Sequence, residues 1–255
     1  DYHLSNTPRQ ILLMEALGFK PPLYAHMPLV IGTDRKPLGK RTAGAGIEGL
    51  RDSGFLPLAI LNAAARLGWA PGEGLLSLSD MASAFSIKKI SKSPAIFDPR
   101  LLPRLNKNAI KEMAPIGIIK LAGLNDLTND EKGLCEALTA VRDTASTLKD
   151  LAPLLRPLLN KPIISNEAKG ILKTAEAEAL LVAITEELGR GVKTYDNLIK
   201  NIKDHTDFKG RALFMPLRCA LTGETKGIEL EKIFKILGPR EVAERAGEAL
   251  AIRKS

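Results

Sequence analysis

Aromatic residues make up 4% of this 255-residue chain, with a single tryptophan. A β-sandwich fills its sheets with aromatic and β-branched side chains. Their scarcity, set against abundant Ala and Leu, directs the expectation to packed helices. Cysteines are equally few: Cys135 and Cys219 are the whole supply, and His3, His26 and His205 are the whole supply of imidazoles. A structural zinc site takes four clustered ligands, so no zinc is expected. Reduced thiols of a cytoplasmic protein are the simplest reading of the pair. No apolar run reaches the roughly 18 residues of a membrane span, and no signal-peptide pattern occurs. A Gly-x-x-x-x-Gly-Lys-Ser/Thr phosphate loop is also missing. What the chain does have is positive charge, a formal +8. RNA or DNA heads the list of partners for such a charge, beside the plain alternative of a soluble protein that happens to be basic.

Local signals divide the chain into two textures. In the first, Thr7-Pro8 opens a helix over 7–18, closed by Gly18, with Ile11, Leu12, Leu13 and Leu17 forming its apolar side. Tyr24 to Ile31 is a candidate strand ending in a Gly32-Thr33-Asp34 turn, and the Gly-, Lys- and Arg-rich stretch 33–46 is a surface loop. Short helices are expected at 47–53, 57–67, 79–85 and after Asp98-Pro99. From about residue 126, helical periodicity takes over in segments 129–143, 145–159, 166–188, 194–204, 212–221, 228–236 and 239–252, with Gly170 a possible irregularity. This half reads as an all-helical bundle or short superhelix without a solenoid repeat. The chain opens at Asp1 inside what looks like the middle of a domain. A portion of a larger protein is therefore expected.

Several segments, in order, carry a resemblance. Asp1-Tyr2-His3-Leu4-Ser5-Asn6-Thr7-Pro8-Arg9-Gln10 comes first, followed by Ala25-His26-Met27-Pro28-Leu29-Val30. Then come Gly54-Phe55-Leu56-Pro57, Leu67-Gly68-Trp69, Ser91 to Asp98, and Met215-Pro216-Leu217-Arg218 with Leu221-Thr222-Gly223. Together they resemble the bacterial glutamyl-tRNA synthetases, class I enzymes, over nearly the whole chain. The resemblance implies a mainly α fold in three parts. Residues 1–52 would be the end of a Rossmann-like catalytic domain, 53–125 a helical stem-contact domain, and 126–255 an all-helical anticodon-binding domain. It implies a monomeric ligase that activates glutamate with ATP and Mg²⁺ and transfers it to tRNA-Glu. The ATP-gripping motif and glutamate pocket of such enzymes are not among these residues, so this chain alone is expected to be inactive.

Two stretches compete for the family's mobile lysine loop, whose ammonium offsets charge developing on pyrophosphate. Lys89-Ile90-Ser91-Lys92-Ser93 has the better spelling. Pro37-Leu38-Gly39-Lys40-Arg41 has the better setting, after a strand and a Gly-x-Asp turn, although Pro37 and Gly39 replace the pattern's first lysine and its serine. Setting outweighs spelling. The resemblance thus makes Lys40 catalytic and assigns ATP to Leu29, Val30, Lys40 and Arg41. Lys89 and Lys92 then read as a solvated basic turn near RNA phosphates.

In the second half the resemblance assigns anticodon contacts to Thr144, Lys200, Arg218 and Leu230. Many relatives carry an arginine where Thr144 stands, which suggests loose reading of the third anticodon base or charging of tRNA-Gln as well. Asp204, His205 and Asp207 are neighbours on a turn, and such neighbours rarely converge on one ion. A non-catalytic tRNA-binding module and a helical interaction protein remain as alternatives.

Overall fold

A computed structural model describes residues 3–37, 46–69 and 72–252. The chain is mainly helical and divides into two compact units, 1–112 and 113–255.

The first unit holds α1 (Thr7–Ala16), β1 (Val30–Ile31), α2 (Ile47–Asp52), α3 (Pro57–Ala65), α4 (Leu78–Ala84), β2 (Ala95–Ile96) and α5 (Leu101–Glu112). Its core lies between α3 and α5, where Leu56, Ala59, Leu105, Ala109 and Ile110 are buried. Pro57 starts α3 without wasting a backbone donor. The Leu56 N–H just before it donates to Asn106 Oδ1 on α5 at 2.7 Å, so a buried amide ties the two helices together. Asn62 is buried as well and is fully used. Its Nδ2 donates to the carbonyls of Leu58 and Leu76, and its Oδ1 accepts from Leu76 N–H and Arg66. Each such amide would cost more left unpaired than its bond returns, so both must stay bonded.

Two expectations are corrected in this unit. Thr7 does not cap α1: Asn6 is the cap residue, and no side chain makes the cap bond. The Thr7 hydroxyl instead donates to His3 O at 3.2 Å. Its single proton is thereby used, so at 3.0 Å from His26 Nε2 it is the acceptor. The strand expected from Tyr24 shrinks to Val30–Ile31, because residues 22–27 are exposed and only Val30 and Ile31 join the sheet. On the apolar side of α1, Ile11 is half-buried, whereas Leu12, Leu13 and Leu17 are 66%, 62% and 62% exposed.

The second unit stacks α6 (Pro115–Ala122), α7 (Glu131–Val141), α8 (Leu151–Leu159), α9 (Asn166–Leu172), α10 (Ala175–Gly189), α11 (Tyr195–His205), α12 (Gly210–Thr222) and α13 (Leu230–Ala251). α10, α12 and α13 pack on one another at its centre through Leu180, Leu181, Ile184, Leu217, Leu221, Ile233 and Val242. The single helix expected over 166–188 is two. Its break lies at Lys173–Thr174, beyond Gly170, where the Thr174 hydroxyl accepts from Ala177 N–H and starts α10. The helix expected from 145 begins at 151, after a short 3₁₀ turn in which Thr147 and Asp150 form a capping box. The separate segments read at 228–236 and 239–252 meet at Gly238, whose φ of 75° breaks α13 just before Pro239.

Candidate functional site

The first unit holds one small sheet near Pro37 and Lys89–Ser93. β1 and β2 run parallel, with Val30 opposite Ala95 and Ile31 opposite Ile96. Leu29 O accepts from Ala95 N–H at 3.2 Å, and Ile31 O accepts from Phe97 N–H at 2.8 Å. Beyond Ile31 the chain turns tightly. Gly32 N–H donates to Lys36 O at 2.8 Å, Lys36 N–H donates to Asp34 Oδ1 at 3.1 Å, and Pro37 comes back as an antiparallel bridge partner of Ile31. Arg35 takes a φ of 62° in this turn, a left-handed conformation that costs a non-glycine residue about 1 kcal/mol. The turn 32–36 therefore sits at the carboxyl end of β1, the end where parallel strands receive ligands. Lys40 and Arg41 lie outside the described residues. Leu29 and Val30 are half-buried.

Lys89–Ser93 sits at the other end. Lys88 and Lys89 belong to a short 3₁₀ turn, and Ser91 N–H is anchored to Gly68 O at 2.8 Å. A Ser91–Ser93 turn then leads into the amino end of β2. Because the strands are parallel, this turn and the turn 32–36 lie at opposite ends of the pair.

In the second unit, three of the four residues assigned to the anticodon gather around the start of α13. Arg218, half-buried on α12, donates through Nη1 to Ile228 O, two residues before Leu230. Burial lowers its pKa from the ordinary value. Leu230 is the first residue of α13 and is 5% exposed, so its side chain is packed in the core. Thr144 is exposed in the turn after α7, and that turn is tied to α13 by Asp143, whose carboxylate meets Lys232 Nζ at 3.0 Å. No local pattern announces this link, since its partners are 89 residues apart. Lys200 is exposed on α11, with no hydrogen bond or ion pair to the other three among the described residues.

His205, considered above with Asp204 and Asp207, turns to Glu187 on α10. Glu187 is 5% exposed and holds three partners: Asn201 Nδ2 at 2.7 Å, Arg190, and His205 Nδ1 at 3.4 Å. The Asn201 amide first, then Arg190 and His205, keep its carboxyl below the usual range against the opposing effect of burial. A carboxyl lowered in the folded state contributes stability above its unfolded pKa of about 4.3, and loses it as pH falls through the lower folded value. The melting temperature of the chain is therefore expected to drop on acidification below about pH 5. Glu187→Gln should remove part of that dependence, and identical pH profiles for the two proteins would refute it. Cys219, buried on α12, has its thiol pushed up to about 11 and is chemically quiet. Among the described residues no group of three or more His, Cys, Asp or Glu is placed to hold a metal ion, and no helix is long and apolar enough to cross a membrane.

Two family models match the chain. One is the catalytic domain of class I tRNA synthetases (E and Q), over residues 1–103; the other is an anticodon binding domain, over residues 100–250. Glutamate–tRNA ligase 2 of Syntrophus aciditrophicus is 36% identical, with 97% of this chain and 54% of the relative aligned. The glutamate–tRNA ligase of Carboxydothermus hydrogenoformans is 34% identical, over 95% and 54%. A crystal structure of a glutamate tRNA ligase from Elizabethkingia meningosepticum shares the fold with a TM-score of 0.75 at 22% identity, covering 98% of this chain and 55% of that one. The chain spans about half the length of the curated relatives it matches.

Proposed function

Because the chain belongs to the class I tRNA synthetases of the E and Q type, with an anticodon-binding domain and part of the catalytic domain, we propose that it serves in a glutamate–tRNA ligase. The observation that carries this reading is the succession of the two family matches along nearly the whole chain. The ligase joins glutamate to tRNA-Glu at the expense of ATP and acts as a cytoplasmic monomer. Residues 1–52 supply the lysine loop, 53–125 the stem contact and 126–255 the anticodon contact. Lys40 offsets charge on the pyrophosphate of Mg²⁺-bound ATP, with Arg41 beside it and the Leu29–Val30 backbone against adenine. The tight turn 32–36 at the carboxyl end of β1, which Lys40 follows in sequence, supports this assignment. Thr144, Lys200, Arg218 and Leu230 contact the anticodon arm, Leu230 by shaping the site from within the core. Charging of tRNA-Gln in addition is favoured by one feature, the short neutral side chain of Thr144.

Filter binding of a tRNA-Glu transcript at several salt concentrations tests the RNA reading. If about five phosphates are neutralised, log K should fall against log salt with a slope near −4, and K should drop about a hundredfold or more between 50 and 200 mM. A chain that binds no tRNA at 50 mM salt, or whose binding ignores salt, would falsify it.

A further inference from the structure

The first unit contains a cavity of about 150 Å³ that none of the contacts assigned above uses. It lies between α2, α3 and the first turn of α5. Ile60, Ala63 and Ala64 face it from α3 at the i, i+3, i+4 spacing of one helix side. The two alanines leave the hole, because neither methyl reaches across to α2 or α5. Around them Leu50, Ile60, Leu67, Phe97, Leu101 and Leu102 are only half-buried. The same pair of helices closes completely at Ala59 and Ile110, both 0% exposed. One polar group lines the cavity, Asp98. Its Oδ1 accepts from the Arg100 backbone N–H at 2.9 Å and from Arg100 Nε at 3.1 Å. Those two bonds, in that order, hold its carboxyl below the usual range, so it is ionised at neutral pH. Oδ2 has no hydrogen bond or ion pair among the described residues. It is an acceptor at the edge of an apolar hole.

We propose that this cavity binds a single aromatic ring carrying one neutral O–H or N–H donor, with phenol as the simplest member of the class. Size and walls select the ring. An apolar cavity of about 150 Å³ stays dry and takes a benzene-sized molecule. A water there would find one acceptor instead of the two to four partners that hold a buried water. The Phe97 ring adds an aromatic wall. Asp98 selects the donor. A cationic ligand gains little from it, because Arg100 already answers its charge and Arg104 adds a second positive charge nearby. An anion would face the free oxygen. A neutral donor satisfies Oδ2 without bringing a charge out of water. The site does not depend on tRNA.

The test is a methyl NMR titration of the whole chain with phenol, benzene and benzylamine, the last a cation near neutral pH. Phenol is expected to give saturable shifts at the Ala63, Ala64 and Leu101 methyls with a Kd of about 1 mM. Benzene should bind about fivefold more weakly for want of the hydrogen bond, and benzylamine no more tightly than benzene. Asp98→Asn keeps an oxygen for Arg100 and offers an amide donor in place of Oδ2. In that variant phenol should lose its advantage over benzene. Ala63→Leu fills the cavity and should abolish the shifts with all three probes. If Ala63→Leu melts early, Ala64→Leu at the same face takes its place. No saturable shift with phenol, or full affinity in the filled variant, overturns the site. Equal affinities for phenol and benzene in the unaltered chain overturn the role of Asp98, and tighter binding of benzylamine than of phenol overturns the neutral class.

Discussion

Arg245→Met is expected to lower the urea midpoint of the second unit by roughly 1.5–2.5 M. This corresponds to about 3–5 kcal/mol at an m-value near 2 kcal/mol/M. The guanidinium is 4% exposed, yet four of its five N–H donors are answered. Nε meets Glu241 at 2.7 Å; Nη1 donates to Pro157 O and, at 2.8 Å, to Leu221 O; Nη2 donates to Asn160 O at 3.1 Å. Pro157 lies near the end of α8, Asn160 just follows it, and Leu221 is in the last turn of α12. These are carbonyls that a helix end leaves without an internal partner, and both helix dipoles point negative charge at the same place. One planar fork therefore closes two helix ends from the face of a third. Methionine fills a similar volume and donates nothing. The loss therefore reports the stranded carbonyls rather than a cavity. Arg245→Lys, which keeps the charge without the fork, should fall between. A methionine variant within about 1 kcal/mol of the unaltered chain would show that water reaches those carbonyls instead.

Nothing in the local sequence marks Arg245 for this role. Glu241 and Arg245 stand four apart, the usual pattern of a solvated helical pair, and only the convergence of α8 and α12 buries it. Signals with short-range causes were legible. Pro239 after Gly238 interrupts α13 where the two expected segments were divided, and the helical periods of α11 and α12 fall within two residues of their observed limits. Signals with distant causes were not. Tyr24–Ile31 is apolar enough to be read as a strand, but strand needs a partner, and the partner lies 65 residues on and engages Val30 and Ile31 alone. Leu12 and Leu13 promise a buried helix face, yet burial depends on what packs there, and among the described residues nothing does. The motif around Arg218 was recognisable, whereas its anchor on Ile228 arises from packing between α12 and α13.

In a full-length protein with the proposed ligase function, Lys40→Ala is expected to slow glutamate-dependent pyrophosphate exchange about 10²–10³-fold, as removal of one well-aimed charge stabiliser does. Lys92→Ala should change the exchange by less than about threefold, because a side chain that meets RNA phosphate adds affinity and not chemistry. The parallel pairing of β1 and β2 puts the turn 32–36 and the turn that carries Lys92 at opposite ends of the pair, and Lys40 follows the first of these turns in sequence. Lys36 stands one place before Pro37, where the family pattern has its first lysine, and a second ammonium there would draw the Lys40 effect toward the lower limit. Lys92→Ala should act elsewhere, flattening the salt dependence of tRNA binding by about one unit of slope with exchange preserved. The opposite pattern, exchange lost with Lys92 and kept without Lys40, would assign the catalytic role to the better-spelled loop.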